Sequence, residues 1–218
     1  MQRLNVVNGM AMYNYLKENQ VDLYGDIVPF NEAMCEGDAT EDIFSGDFEL
    51  IRCSVHGVGM EEYEDIVIHP LAPLFSLDYE ELHLFFDEDM FCGINLLTLL
   101  AYLDINEYEG DIMLHIIDYN FDEIRAVMVK PQSFYNVYKD VLINKVKPKI
   151  ALPDIMERAI DDYLEYSKEN NEIDRFILEN LYMSEEELLS LLFEKFKKYG
   201  VGDIQYRKRI NMLKDDKW

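Results

Sequence analysis

The stretch "HLFFDEDMFCGINLLTLLAYL", residues 83–103, sets three consecutive acids, Asp87, Glu88 and Asp89, between a strand-like run and a long apolar run. Carboxylates held together share a hard cation such as Mg²⁺ or divide acid and base roles, and mutual repulsion raises at least one pKa. Two further acids, Glu32 and Glu36, lie in the loop "FNEAMCEGD", and Asp118 closes "GDIMLHIID". Asn8-Gly9, ending "LNVVNG", has the form of a phosphate-cradling turn at a helix start. One glycine and no following lysine fall short of a P-loop or dinucleotide fingerprint. The ligand-binding candidates are therefore Asn8, Gly9, Glu32, Glu36, Asp87, Asp89 and Asp118. No metal ligand set and no catalytic residue is assigned, and a divalent cation is the one cofactor the acids suggest. For Asp89 alone a plainer role competes, because an aspartate just before a helix caps its backbone N–H groups.

The other reactive residue types give less. Cys35 and Cys92 lie beside these acids with no base nearby in sequence, so they read as small buried thiols rather than nucleophiles. His115 reads as a mid-strand core residue. His56 and His69 have no ligand spacing, and no zinc pattern exists.

Elements must carry these residues to one place. "LNVVNG" then "MAMYNYLKENQ" reads as strand, tight loop and helix, with Met12, Tyr15 and Leu16 at helical spacing. "GDIVPF" is a second strand, followed by a polar loop over residues 31–38. Glycines and prolines interrupt residues 41–75, where at least one helix is expected around 60–74. "EELHLFF" is a third strand, "FCGINLLTLLAYLDI" a helix buried on most sides, and "GDIMLHIID" a fourth strand apolar on both faces. This alternation gives an α/β fold: a mostly parallel, Rossmann-like sheet with helices on both faces. From residue 151 the texture turns to amphipathic helices, with Ser184 and Glu187 forming a capping box and Gly200 a helix stop. The expected organisation is an α/β domain over residues 1–150 and a helical C-terminal region over 151–218 packed on it. In such sheets ligands sit beyond the carboxyl ends of the strands, where Asn8, Glu32, Glu36, Asp87, Asp89 and Asp118 all fall.

Composition excludes some partners. The net charge is −24, and residues 1–150 carry 28 acids against 9 bases. Such a field repels phosphate backbones and anionic lipid, which argues against nucleic acid and membrane as partners. No apolar run reaches the ~18 residues of a membrane span. The start lacks a signal-peptide pattern and the three cysteines suggest no disulfide framework, so a cytoplasmic location is expected.

"VVNGM", "FNEAMCEGD" and "LFFDEDMFCGINLLTLLAYL", in this order, resemble the hallmarks of a bacterial family, domain of unknown function eighteen thirty-five. The resemblance covers roughly the first 120 residues and implies an α/β domain in a bacterial cytoplasmic protein, with no particular activity. Four positions depart from the family pattern: Met10 for an acid, Asn31 for Arg, Phe85 for Trp and Glu88 for His. Two functions follow as expectations. One is a small-molecule-binding or metabolic enzyme domain, with an acidic cleft at the strand ends and a polar ligand. The other is a non-enzymatic interaction or regulatory protein that uses its helical tail and acidic surface on a protein partner. A deep pocket holding Glu32, Asp87 and Asp89 would favour the first, and a filled strand edge the second.

Overall fold

The computed structural model describes residues 2–19, 21 and 23–215. The chain opens with β1 (Arg3–Val7), α1 (Gly9–Glu18) and β2 (Asp26–Pro29). α2 (Gly46–His56), α3 (Met60–Tyr63), a π-turn (Glu64–Ile68) and α4 (His69–Phe75) lead to β3 (Glu81–Phe86). α5 (Met90–Ile105), β4 (Asp111–Ile117) and β5 (Glu123–Val129) complete the sheet. α6 (Phe134–Tyr138), a second π-turn (Lys139–Ile143), α7 (Asp154–Tyr166) and α8 (Glu172–Glu179) follow. α9 (Glu185–Lys195), a 3₁₀ turn (Lys197–Tyr199) and α10 (Asp203–Asp215) end the described chain.

The strand order is β2-β1-β3-β4-β5. β1 pairs in parallel with β2 and β3, β3 in parallel with β4, and β5 runs antiparallel to β4. The fold is thus α/β with a mostly parallel, Rossmann-like sheet. The chain moves outward from β1 to β2 and then back across to β3, so the carboxyl ends of β1 and β3 flank the point where the order reverses.

Alternation along the strands divides the core in two. Leu4, Val6, Leu82, Leu84, Phe86, Ile112, Leu114 and Ile116 face one large core shared with α5 and with Ile155, Met156 and Tyr163 of α7. Val7, Phe85 and Ile117 face a smaller one closed by Met12 and Leu16 of α1. Helices therefore lie on both faces, but unequally. α5 is apolar around nearly its whole circumference because sheet and α7 enclose it. Gly93 allows the closest approach, since a Cβ there would stand 2.3 Å from the Ala159 Cβ.

Several local expectations are met. Residues 60–75 are helical throughout. Ser184 and Glu187 close a capping box, and Gly200 takes a left-handed conformation at φ 62°. Others are corrected. β4 is not apolar on both faces: Met113 and His115 are only half-buried, because α1 does not reach that part of the second face. His115 there meets His83 across the strands at 2.7 Å, stacks on Phe85 and binds Glu123, so it is not a core histidine. β5 and α2 lie outside the elements the sequence indicates, whereas α10 falls within the expected helical region. α2 hides behind the glycines that bracket it: Ser45 caps its start by accepting from Phe48 N, and Gly57 stops it in a left-handed conformation. No helix among the described residues is long and apolar enough to cross a membrane.

Candidate functional site

Glu32, the first residue predicted to line a cleft, turns inward instead. Its side chain is 0% exposed, as is that of its partner Arg52. Arg52 Nε and Nη2 donate to Glu32 Oε2 at 3.1 and 2.8 Å. Tyr63 Oη donates to Oε1 at 2.6 Å, Ala33 N donates to Oε2 at 2.9 Å, and His56 Nε2 lies 3.1 Å from Oε2. Burial on its own would raise the pKa of this carboxyl. The His56 hydrogen bond and the charge and hydrogen bonds of Arg52 outweigh it and hold the value down at about 2. The same burial, with Glu32 alongside, pushes the Tyr63 phenol up, so it stays a neutral donor.

Arg52 uses all five of its N–H donors. Besides Glu32, Nη1 reaches the carbonyl oxygens of Glu36 and Asp38 at 2.7 and 3.0 Å, and Nη2 reaches that of Ala33 at 2.9 Å. One buried guanidinium thus fixes the backbone of the loop after β2. Gly37 completes this packing at φ 63°, where a Cβ would strike Val55 of α2 at 2.4 Å. The Glu32 carboxylate, expected as a ligand residue, thus accepts from Arg52, Tyr63 and Ala33 and lies against His56 instead of facing an open cleft.

A second chain of hydrogen bonds joins the strand ends. Asn95, fully buried on α5, donates to Glu32 O at 2.7 Å and to Asn8 Oδ1 at 3.0 Å, and accepts from Met34 N at 3.0 Å. Asn8 Nδ2 donates in turn to Cys92 Sγ at 2.8 Å. Asp89 caps α5 by accepting from Cys92 N at 2.7 Å. Asn8, Glu32 and Asp89 are therefore linked at the carboxyl edge, as structure rather than as an open cleft. Burial pushes the Cys92 and Cys35 thiols up, and all three cysteines are free and buried. Gly9 begins α1 at φ 88° with open space around its Cα, and no side chain of this network touches it.

The other acids disperse. Asp87 is half-buried, its Oδ1 accepts from Glu88 N at 2.5 Å, and burial pushes its pKa up. Glu88 faces outward and pairs with Arg125 at 3.2 Å and Arg158 at 3.5 Å. Asp118, a ligand candidate from sequence, lies in the β4–β5 hairpin and accepts from Asn120 N at 2.8 Å and Asp122 N at 3.0 Å. The backbone N–H of Asp122 is the chief cause of its lowered pKa. Glu36 accepts from the Tyr166 hydroxyl of α7. Asp89, nearly enclosed, is covered by the Gly200 backbone, where a Cβ would come within 2.2 Å of its carboxyl carbon. Burial raises the Asp89 pKa to about 6, with Asp87 adding to the effect, although the Cys92 N–H works against it. The strand edge is thus filled and roofed by the C-terminal region. No group of three or more His, Cys, Asp or Glu among the described residues is placed to hold a metal ion.

Among the four departures from the resemblance, Met10 is exposed and Phe85 is buried under His115. Asn31 donates to Ile66 O at 2.7 Å, and its buried Oδ1 accepts nothing from the protein. Sequence reasoning missed Arg52, His56, Tyr63 and Asn95. Two had a signal. Arg52 is a lone base on the apolar face that Phe48 and Cys53 share, and Asn95 is a lone amide in an otherwise apolar helix. Buried polar groups of that kind require partners.

Among the cavities outside this network, two bear on function. One, about 570 Å³, lies between β5, α6 and the start of α7, and its lining includes Leu96, Leu114, Val127, Phe134, Leu152 and Met156. The other, about 320 Å³, lies between residues 35–38, Lys145 and helices α7 and α10. Comparison with protein-family models, curated proteins and solved structures returned no match to the chain.

Proposed function

We propose that the protein is an interaction module that captures an extended segment of alternating apolar and acidic residues along β5. The observation that carries this reading is the edge strand itself, which stands over the 570 Å³ apolar groove. β5 is the last strand in the sheet order, with only β4 beside it among the described residues, and six of its seven residues are exposed. Its outer row of backbone N–H and C=O groups is a template for an added strand. Val127 lines the groove on one face, while Ile124 and Met128 stand 60% and 54% exposed.

Charge selects the occupant. Residues 125–149 carry six bases and one acid in a chain whose net charge is −24. Arg125 and Lys130 from that stretch line the groove together with Asp154, and their pairs with Glu88 at 3.2 Å and Asp111 at 3.9 Å are exposed enough for an incoming carboxylate to compete for them. An acidic segment is drawn to these two bases and repelled by the strongly negative net charge of the chain. The alternative of an acidic catalytic cleft has less support, because Glu32 is fully bonded and Asp89 is a cap. The bacterial cytoplasmic setting and kinship with family eighteen thirty-five belong to the same proposal, supported by the three motifs in β1, the β2 loop and the β3–α5 turn.

The test is fluorescence polarisation with a labelled heptapeptide alternating valine and glutamate, beside its valine–lysine counterpart. The acidic peptide is expected to bind with micromolar affinity that weakens with salt, and Val127→Glu or the pair Arg125→Glu, Lys130→Glu is expected to abolish it. Equal binding of both peptides, or of neither, rejects the reading.

A further inference from the structure

The smaller cavity has a different character and no part in the β5 reading. It opens at the carboxyl edge of the sheet and is lined by Asp38, Lys145, Tyr163, Gln205 and Lys208, with Glu36 and Arg209 at its sides. Arg209 is neutralised by Asp174 at 2.5 Å, and the Glu36 carboxylate is engaged by Tyr166. The charges without an ion-pair partner among the described residues are then two acids, Asp38 and Glu36, the latter held in place by the Tyr166 hydroxyl, and two lysines. The Lys145 ammonium donates to the Tyr163 hydroxyl and lies over that ring, 4.8 Å from its centroid. Lys208 Nζ donates to the Val55 carbonyl at 2.7 Å. Neither lysine forms an ion pair with a carboxylate among the described residues. Asp38 is held through its backbone, by the carbonyl that Arg52 grips at 3.0 Å, so its exposed side chain is left to the cavity.

Asp38 and Lys145 sense one another without closing on each other. The Asp38 charge works to raise the lysine pKa, although burial of the ammonium prevails and lowers it. In most surface pairs of this sort the flexible lysine swings onto the acid. Here Tyr163 holds the ammonium and the Arg52 clamp holds the loop, so two opposite charges face one space and stay apart.

We propose that this cavity binds a small zwitterion of the amino-acid class, its carboxylate between Lys145 and Lys208 and its ammonium toward Asp38. Each ligand charge then meets a protein charge already in place, so little ordering accompanies binding. Gln205, with both a donor and an acceptor, completes the polar lining, and the Tyr163 ring offers a flat wall to the side chain. A lone anion would meet the Asp38 charge, and a lone cation would meet two lysines.

The full-length protein is melted with each standard amino acid at a concentration on the order of 10 mM, and hits are titrated by calorimetry. The expected result is a saturable rise in Tm for at least one amino acid. Its N-acetyl and amide derivatives, each lacking one charge, should give none. Asp38→Asn and Lys145→Asn should each weaken binding about tenfold or more, through loss of a charged partner. Asparagine is chosen at residue 145 because the lysine there has φ 53°, a left-handed conformation asparagine tolerates. Both are surface positions, and an unchanged Tm without ligand confirms folding. The proposal is overturned if no amino acid shifts Tm, if the shift survives both substitutions, or if inorganic phosphate produces the same shift.

Discussion

Asp89→Asn is expected to stabilise the protein at neutral pH. An aspartate in water titrates near 3.8, and burial raises Asp89 to about 6. Its folded pKa is above its unfolded one, so the ionised form is disfavoured by folding. Above pH 6 the native state carries that penalty in full. As pH falls the folded state takes up a proton first, and the penalty is gone below about 4. The interval between 3.8 and about 6 corresponds to about 3 kcal/mol at pH 7. Asparagine keeps the acceptor that holds Cys92 N and caps helices about as well as aspartate. It removes the charge and, with it, the repulsion from Asp87. The covering Gly200 backbone meets a side chain of the same shape.

Urea unfolding of wild type and Asp89→Asn at pH 7.5 and pH 4.5 measures this directly. The variant should be more stable by about 1–3 kcal/mol at the higher pH, with the gap closing at the lower one. Comparing the two proteins at each pH removes the contribution of every other carboxylate. A loss of stability at pH 7.5 would mean that the charge is used, by a cation or a paired base, and would refute the cap-only reasoning. A gain of equal size at both pH values would refute the electrostatic cause.

Other substitutions probe the remaining joints. Arg52→Leu leaves the buried Glu32 carboxylate and three loop carbonyls without their donor, and should cost about 3–5 kcal/mol in urea unfolding. Glu32 is the reverse of Asp89. Its folded pKa of about 2 lies below the usual 4.5, so it contributes about 3 kcal/mol above pH 5 that is lost as pH falls toward 2, a limb of the acid titration that Glu32→Gln should lack. Gly93→Ala pushes α5 off Ala159 of α7 and should lower stability by about 1–3 kcal/mol in the same assay.

The parallel part of the fold was legible because each of its units pairs a short apolar strand with a periodic helix. The turn chemistry was legible too: Asp89 and Ser184 both cap as their positions suggest, since the capping residue and the helix it starts are adjacent in sequence. β5 was not, because an exposed edge strand buries no face and so shows no periodic pattern. Nor was the Arg52 network. Its members are spread over residues 32–63, and sequence spacing carries no trace of which carbonyls a guanidinium meets. The acids do fall at the strand ends, but their hydrogen-bond partners were not legible, for Glu32 and Asp118 above all.

That ambiguity of strand-end acids has a physical source. A strand that ends against a helix N-terminus places unpaired N–H groups at the edge where ligands also bind, and both attract carboxylates. Asp89 serves the helix and Asp118 the hairpin. Glu88 ties the β3 end to Arg125 and Arg158, beyond the edge altogether. An acid at a strand end therefore points to a ligand only when no local N–H group or base engages it. Applied to the acids around this edge, that criterion removes Glu32, Asp87, Glu88, Asp89 and Asp118 and leaves Glu36, which accepts only from the Tyr166 hydroxyl, and Asp38, whose backbone is clamped and whose carboxylate is not. The same test applied to the bases that line the two cavities removes Arg125, Lys130 and Arg209 and leaves Lys145 and Lys208. The residues that survive on both sides line one cavity, and neither lysine belongs to a strand end: Lys145 follows the second π-turn and Lys208 sits on α10. The helical roof that fills the expected cleft is what supplies the charges of the one beside it.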